Sequence, residues 1–357
     1  MIARHEPVPA REISRHVELP VPLVTAVCNE LRQLGVVSGE RPTRLTPDGR
    51  AAFAGGLVVG ATPCPTCDGR GTVLTDALAG LAAELDRTFE AQPGAKLELD
   101  QAHCTVDSKL RRVALLMQHG ALDKRIVFIG DDDLTSLAVA HYARVTAGAS
   151  GRFELTVVDV DTDLLGFVAA EAARFDLPIT TVEHNLTEPL PDNLLGRFDM
   201  AFTDPPYTVA GAELFLSRAV TALAEGGGQH VFFAFGARRP DETNRVQARI
   251  AEMGLAMRSL VPNFNTYTGA GVLGGTSHQY HLRTTPGAKP VIEGAHTGAL
   301  YTADSRAAVA RPYQCASCKQ VHKVGPGQRW TTIAQLKSDG CPHCHSEKFR
   351  PMPLGTR

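Results

Sequence analysis

The sequence predicts an α/β protein: a Rossmann-like parallel-sheet core with an N-terminal winged helix and a C-terminal zinc ribbon. Three observations carry this. Short apolar runs alternate with stretches of helical periodicity between residues 121 and 285. Two of those runs end in acidic loops, Gly130-Asp131-Asp132-Asp133-Leu134-Thr135-Ser136 and Thr203-Asp204-Pro205-Pro206-Tyr207-Thr208, where buried parallel strands deliver ligand-binding residues. Near the carboxyl end, Cys315/Cys318 and Cys341/Cys344 form two C-x-x-C pairs separated by 22 residues.

In chain order, residues 9–58 read as the winged helix, within a first domain of residues 1–60. Pro9 to Val17 predicts one helix and Val21 to Leu34 a second, with Pro22 in its first turn, where a missing donor costs nothing. Gly35 to Val37 and Arg44 to Gly49 read as a two-stranded wing around a turn. Its role is either to contact DNA or to serve as a packing and dimerisation module. The second helix offers only Asn29, Glu30, Arg32 and Gln33, too few cations for a phosphate surface, so the second reading is favoured.

Residues 61–120 hold a Cys64-to-Gly71 knuckle and two helices, Leu74 to Phe89 and Asp107 to Gln118, expected to cap the catalytic domain. Cys64 and Cys67 have the spacing of half a zinc site, which His103 and Cys104 could complete, or they form a metal-free turn. Residues 121–302 form the core. Its strands are Arg125–Ile129, Glu154–Val158, Ile179–Val182, Asp199–Thr203 and Gln229–Phe235, then Ser259–Asn263 and His278–Arg283. Residues 286–310 are a Pro/Gly/Ala-rich connector, and 303–357 are assigned to the ribbon. Four thiolates close the shell of a zinc ion, so Cys315, Cys318, Cys341 and Cys344 are expected to hold a structural zinc.

The chain has 357 residues, with 36 Lys and Arg against 38 Asp and Glu. That balance gives no global basic field, so nucleic acid is not the expected partner. No apolar run approaches the ~20 residues that span a bilayer, and the first residues lack a signal-peptide core. A cytoplasmic protein with no membrane partner is expected, its C-x-x-C pairs reduced and suited to zinc.

The chemistry is read from the strand ends. An acid after strand two and a polar residue after strand three are marks of an S-adenosylmethionine-methyltransferase-type core. Asp159 is therefore the leading ribose ligand, Asp161 the second choice, and Asn185 a contact for adenine. In Asp204-Pro205-Pro206-Tyr207 the prolines stiffen a projecting carboxylate, and the tyrosine offers a π face to a planar or cationic group. That loop suits an amine nucleophile, including the exocyclic amine of a flipped adenine. Asp131, Asp132 and Asp133 decide between these acceptors. They disfavour the carboxylate of intact S-adenosylmethionine and attract a decarboxylated donor and a cationic polyamine.

These two acidic motifs resemble the branched-chain polyamine synthase family, the N4-bis(aminopropyl)spermidine synthases. The likeness runs over roughly residues 10–302 and includes the knuckle, Asp100-Gln101, Asn265-Thr266-Tyr267, Gly274-Gly275 and Tyr301-Thr302. It implies aminopropyl transfer from decarboxylated S-adenosylmethionine to a polyamine nitrogen, with 5′-methylthioadenosine leaving. It carries the essential acid of the Gly-Asp-Asp-Asp motif to Asp133. The resulting expectation is that Asp133, then Asp204, takes the acceptor's proton, with Tyr207 packed on donor or acceptor. Gly130 and Asp131 join Asp159, Asp161 and Asn185 around the donor. Asp100, Gln101, Asp132, Asn265 and Tyr267 hold the polyamine. A homodimer is the expected assembly. The ribbon has no counterpart in the family core and leaves the acceptor open. The competing readings are methyl or aminocarboxypropyl transfer to another amine, and a polyamine-sensing winged-helix regulator of DNA.

Overall fold

The computed structural model describes residues 2, 6–17, 19–53, 64, 66–67, 69–146, 152–268, 275–302, 311–325, 328–330 and 333–352. Two compact units emerge: residues 1–97 with 101–297, and residues 98–100 with 298–357.

In the larger unit, α1 (Ala10–Val17) and α2 (Val21–Gln33) enclose a small core of Val8, Ile13, Val24 and Cys28. Single bridges, Val37 to Leu45 and Val8 to Thr43, stand where the wing was expected. The second expected wing strand is cut short by α3 (Pro47–Phe53). Proline is tolerated at a helix start, and Thr46 Oγ1 accepts from Gly49 N at 3.0 Å, capping the turn.

α4 (Asp76–Phe89) and α5 (Val106–Gln118) precede the sheet. Strands β1 (Arg125–Ile129), β2 (Glu154–Asp159), β3 (Ile179–Glu183), β4 (Met200–Thr203) and β5 (His230–Phe235) follow within a point or two of the expected bounds. They alternate with α6 (Thr135–Thr146), α7 (Thr162–Phe175) and α8 (Val209–Ala222); α9 (Pro240–Glu252) then leads to β6 (Leu255–Thr266) and β7 (Thr276–Thr284). The order is β3-β2-β1-β4-β5-β7-β6, with β1 to β5 parallel and β6 and β7 antiparallel. The later strands thus form a hairpin that extends the parallel sheet on one side. The reversal places β1 between β2 and β4, so the two acidic loops lie side by side at a topological switch point.

Alternate strand residues fill opposite faces. Ile126, Phe128, Leu155, Val157, Met200, Phe202 and Phe232 share one core with α4, α5, α6 and α7. The helices expected as a cap are therefore part of the main core, because Leu78, Leu81, Leu85 and Leu110 have nowhere else to bury their apolar faces.

In the smaller unit, β8 (Arg311–Cys315), β9 (Val321–Val324) and β10 (Phe349–Pro351) form a sheet of order β10-β8-β9. With α10 (Ile333–Asp339) it buries Val324, Trp330 and Leu336. Among the described residues, no helix is long and apolar enough to cross a membrane.

Candidate active site

The loop after β1 turns sharply. Gly130 has φ +70°, and a Cβ there would stand 3.0 Å from the Phe215 ring. Only glycine meets both demands without cost. Leu134, fully buried, takes the left-handed region at φ 53° as its amide donates to Asp131 O at 2.7 Å. The tight turn sends the three carboxylates to three different surroundings.

Asp131 caps α6, accepting from Thr135 N at 2.9 Å and Ser136 N at 3.1 Å. Asp133 points at α5: its Oδ2 accepts from Arg112 Nη1 at 2.6 Å, its Oδ1 from Cys104 N, and its carbonyl from Lys109 Nζ. Burial opposes the charge on Asp133, but Arg112 and Lys109 hold it below the usual carboxylate range. Asp132 alone of the three is partly exposed, and its carboxylate accepts from Ala102 N at 3.1 Å. Burial, then the charges of Asp133 and Asp204, hold it well above the usual range.

Arg112 joins the two acidic motifs. Its side chain is wholly buried, and its five N–H groups meet five acceptors. Nη1 serves Asp133 and Thr135 Oγ1 (3.1 Å), Nη2 serves Asp204 Oδ2 (2.7 Å) and the Tyr267 hydroxyl (3.0 Å), and Nε serves Asn265 Oδ1 (2.8 Å). Asp204, although paired, is raised by burial and then by the neighbouring Asp133, with Arg112 opposing. One guanidinium thus supports one firmly ionised carboxylate and a second that retains its proton more readily.

A hydroxyl chain continues from Asp204. Tyr267 donates to its Oδ2 at 2.5 Å, Tyr207 donates to the Tyr267 oxygen at 2.8 Å, and Ser277 Oγ lies 2.8 Å from that oxygen. Asn265 is fully buried and donates to Ser277 Oγ at 3.0 Å, so it braces Arg112 and the hairpin strands. The Tyr207 ring packs edge-on against Phe235 and close to Gly236, where a Cβ would come within 2.5 Å of it.

The remaining expected residues divide between loop ties and the rim. Asp159 is buried and accepts from Asp131 N (3.0 Å) and Asp161 N (2.9 Å), tying the β1 and β2 loops together. Asp161 caps α7 and accepts from Lys96 Nζ at 2.6 Å and Gln101 Nε2 at 2.9 Å. Asn185 is exposed, its Oδ1 closing a turn on Thr187 N at 3.1 Å. Asp100 belongs to the smaller unit, where it accepts from Thr302 N at 2.6 Å. Gly274 lies outside the described residues.

Helix α5 supplies what sequence reasoning missed, and His103 and Cys104, read as possible zinc ligands, turn to the acidic loop. His103 Nδ1 lies 2.8 Å from Asp132 O, Cys104 is buried beside Asp133, and Lys109 and Arg112 occupy the apolar face of α5. A signal was present: Lys109, Arg112, Val113 and Leu116 share one helix face, and charges on a buried stripe demand partners. Among the described residues, Cys64 and Cys67 join no cluster of three or more metal-ligating groups. His103 and Cys104 serve the carboxylate loop instead.

In the smaller unit Cys315, Cys318, Cys341 and Cys344 bring their sulfurs within 4.8 Å of one another. Cys315 and Cys344 are 3.5 Å apart, Cys318 and Cys341 3.6 Å. Tetrahedral zinc–thiolate bonds of ~2.3 Å separate sulfurs by about 3.8 Å, so the four fit that ion. His322 Nε2 lies 3.3 Å from Cys341 Sγ and can support its charge.

A model of the branched-chain polyamine synthase A C-terminal domain matches residues 81–289. An N(4)-bis(aminopropyl)spermidine synthase of Thermococcus kodakarensis is 33% identical over 267 residues, 71% of this chain and 72% of that protein. An uncharacterized protein of Methanocaldococcus jannaschii is 33% identical over 355 residues, 98% of this chain and 86% of the relative. The branched-chain polyamine synthase of Thermus thermophilus, solved with N4-aminopropylspermidine and 5′-methylthioadenosine, has the same fold. Its TM-score is 0.67 at 24% identity, covering 85% of this chain and 90% of that one. With the family model matching more than half of its length, across both acidic loops and the helix that joins them, the chain belongs to the branched-chain polyamine synthases, a family of transferases.

Proposed function

We propose that this protein transfers an aminopropyl group from decarboxylated S-adenosylmethionine to a secondary amine of a polyamine such as spermidine, releasing 5′-methylthioadenosine. The observation that carries this reading is the partly exposed Asp132, which among the described residues has no cationic partner while its neighbours are engaged. Such a group favours a cation beside it. A polyamine nitrogen and the ammonium of a decarboxylated donor both meet that preference, whereas a methionine carboxylate does not. The complex formed by the Thermus thermophilus relative supports the same pairing of polyamine and thioadenosine.

The reaction is an in-line displacement. A nitrogen lone pair attacks the carbon beside the sulfonium, the C–S bond breaks, and its electron pair neutralises sulfur. Alignment and a deprotonated acceptor are the requirements. In this mechanism Asp132, rather than the expected Asp133, receives the proton of the acceptor ammonium, because Asp133 is committed to Arg112 and held ionised. Asp204 orients the nitrogen through its proline-stiffened loop, and Tyr207 packs against the reacting groups. Asp159 and Asn185 bind ribose and adenine, Asp161 and Gln101 shape the loops around them, and a structural zinc in the Cys315/Cys318/Cys341/Cys344 shell supports the ribbon.

Calorimetric titration with decarboxylated and intact S-adenosylmethionine, followed by mass spectrometry of a reaction with spermidine, tests the reading. Preference for the decarboxylated donor and products heavier by aminopropyl units are expected. Preference for the intact donor, with methylated or aminocarboxypropylated amines, would overturn it.

A further inference from the structure

Residues 311–352 contain seven Lys and Arg against two Asp and Glu, within a chain whose formal charge is −2. Part of that excess lies on one side of the ribbon sheet. In β8, Tyr313 and Cys315 face the buried side with His322, Val324 and Phe349, so Pro312 and Gln314 face outward. Register then places Arg350 and Val321 on either side of Gln314, and Lys323 opposite Pro312. The outward face therefore reads Arg350–Gln314–Val321 in one row and Pro312–Lys323 in the next. Lys348 and Lys319, both exposed, flank it.

Two features separate this face from an ordinary solvated surface. Among the described residues, none of Lys319, Lys323, Lys348 and Arg350 pairs with a carboxylate, and no acid occupies an outward register position; Lys319 Nζ donates only to Ala316 O at 2.8 Å. Cys315 points to the opposite side, so the cations on this face do not serve merely to neutralise a tetrathiolate centre. Elsewhere on the chain several basic side chains are paired, as Arg144 is with Glu84 and Arg249 with Glu213 and Glu252.

The geometry points to this face, Lys323, Lys348 and Arg350 around Gln314, as a binding surface for the phosphodiester backbone of a nucleic acid. Unpaired cations spaced across adjacent strands match a linear polyanion, and Gln314 can donate to a phosphate oxygen. Among the described residues this face carries no aromatic side chain on which bases could stack, so binding is through phosphates and independent of sequence. Val321 and Met352 are exposed apolar side chains on this unit, too little apolar surface to anchor a membrane, which favours nucleic acid over an anionic bilayer. The inference is independent of the transfer reaction.

Fluorescence anisotropy with the full-length zinc-loaded protein tests it, using a labelled single-stranded oligonucleotide of mixed sequence, the corresponding duplex, and phosphatidylserine vesicles as competitor. The wild type should bind either oligonucleotide form with an affinity that falls steeply as salt rises. The combined variant Lys323→Gln/Lys348→Gln/Arg350→Gln should bind at least about tenfold more weakly, with a salt slope flattened by about 2–3. Its zinc content, equal to that of the wild type, shows that the ribbon is intact. Lack of wild-type binding at low salt, unchanged binding and slope in the variant, or selective binding to the vesicles would each overturn the assignment.

Discussion

Arg112 Nη1 lies 2.6 Å from Asp133 Oδ2 while its Nη2 lies 2.7 Å from Asp204 Oδ2, so one buried guanidinium spans both acidic loops. Neither loop contacts the other through a side-chain cation of its own. Their common geometry is set from α5, a helix that precedes both in the chain.

Removing that span should be costly. Arg112→Met leaves Asp133 buried without its partner, and a loss of about 3–5 kcal/mol is expected in urea unfolding. Arg112→Lys keeps the charge but cannot donate to five acceptors, so it should recover part of the stability and little of the turnover. Wild-type turnover in the lysine variant would show that bidentate positioning is unnecessary.

Asp132 and Asp133 should respond differently to amidation. Asp132→Asn is expected to lower kcat by roughly 10²–10⁴-fold with little loss of stability, and Asp133→Asn to lower both. Because the native Asp132 carboxyl is raised above its unfolded value, its contribution to stability is largest below the unfolded value and is lost as pH rises through the native one. Activity runs the other way: kcat/KM should climb as Asp132 ionises, and that limb should vanish in Asp132→Asn. An unchanged acid limb in the variant would assign the proton acceptor elsewhere.

Tyr267→Phe deletes a hydroxyl that serves Asp204, Arg112, Tyr207 and Ser277 at once. Four groups lose a partner, Arg112 and Ser277 among them buried, and a destabilisation of about 1–3 kcal/mol is expected by thermal or urea unfolding. Asp204 loses a donor that favours its charged form, so its ionisation should move further up, visible by following carboxyl titration in an infrared difference spectrum.

Chelation should release one zinc per chain, and Cys315→Ser should abolish stoichiometric binding, because three thiolates no longer close the shell. Unfolding of β8, β9 and β10 should accompany the loss, reported by Trp330 fluorescence. Retained zinc in Cys315→Ser would contradict the four-thiolate centre.

Much of this protein was legible in its sequence. Strand periods, turn residues and the two acidic loops follow from local patterning, since apolar runs of this length bury both faces only in a covered parallel sheet. The two carboxyl-terminal C-x-x-C pairs likewise come together as their spacing predicts, because ligand type and spacing are properties of the chain itself. Local patterning also misled: Arg44 to Gly49 reads as part of a wing, yet Pro47 and the Thr46 cap start α3. What only the tertiary structure decided is the division of labour among identical side chains. Asp131, Asp132 and Asp133 are adjacent and chemically alike in sequence. One becomes a helix cap, one a partly exposed acid and one the partner of Arg112 because a left-handed turn aims them apart. Asn265 and Asp161, read as ligands in the sequence, brace Arg112 and cap α7 in the structure, work that the sequence did not show. The role of a carboxylate depends on the donors and the burial around it, and those are supplied by residues far away in the chain.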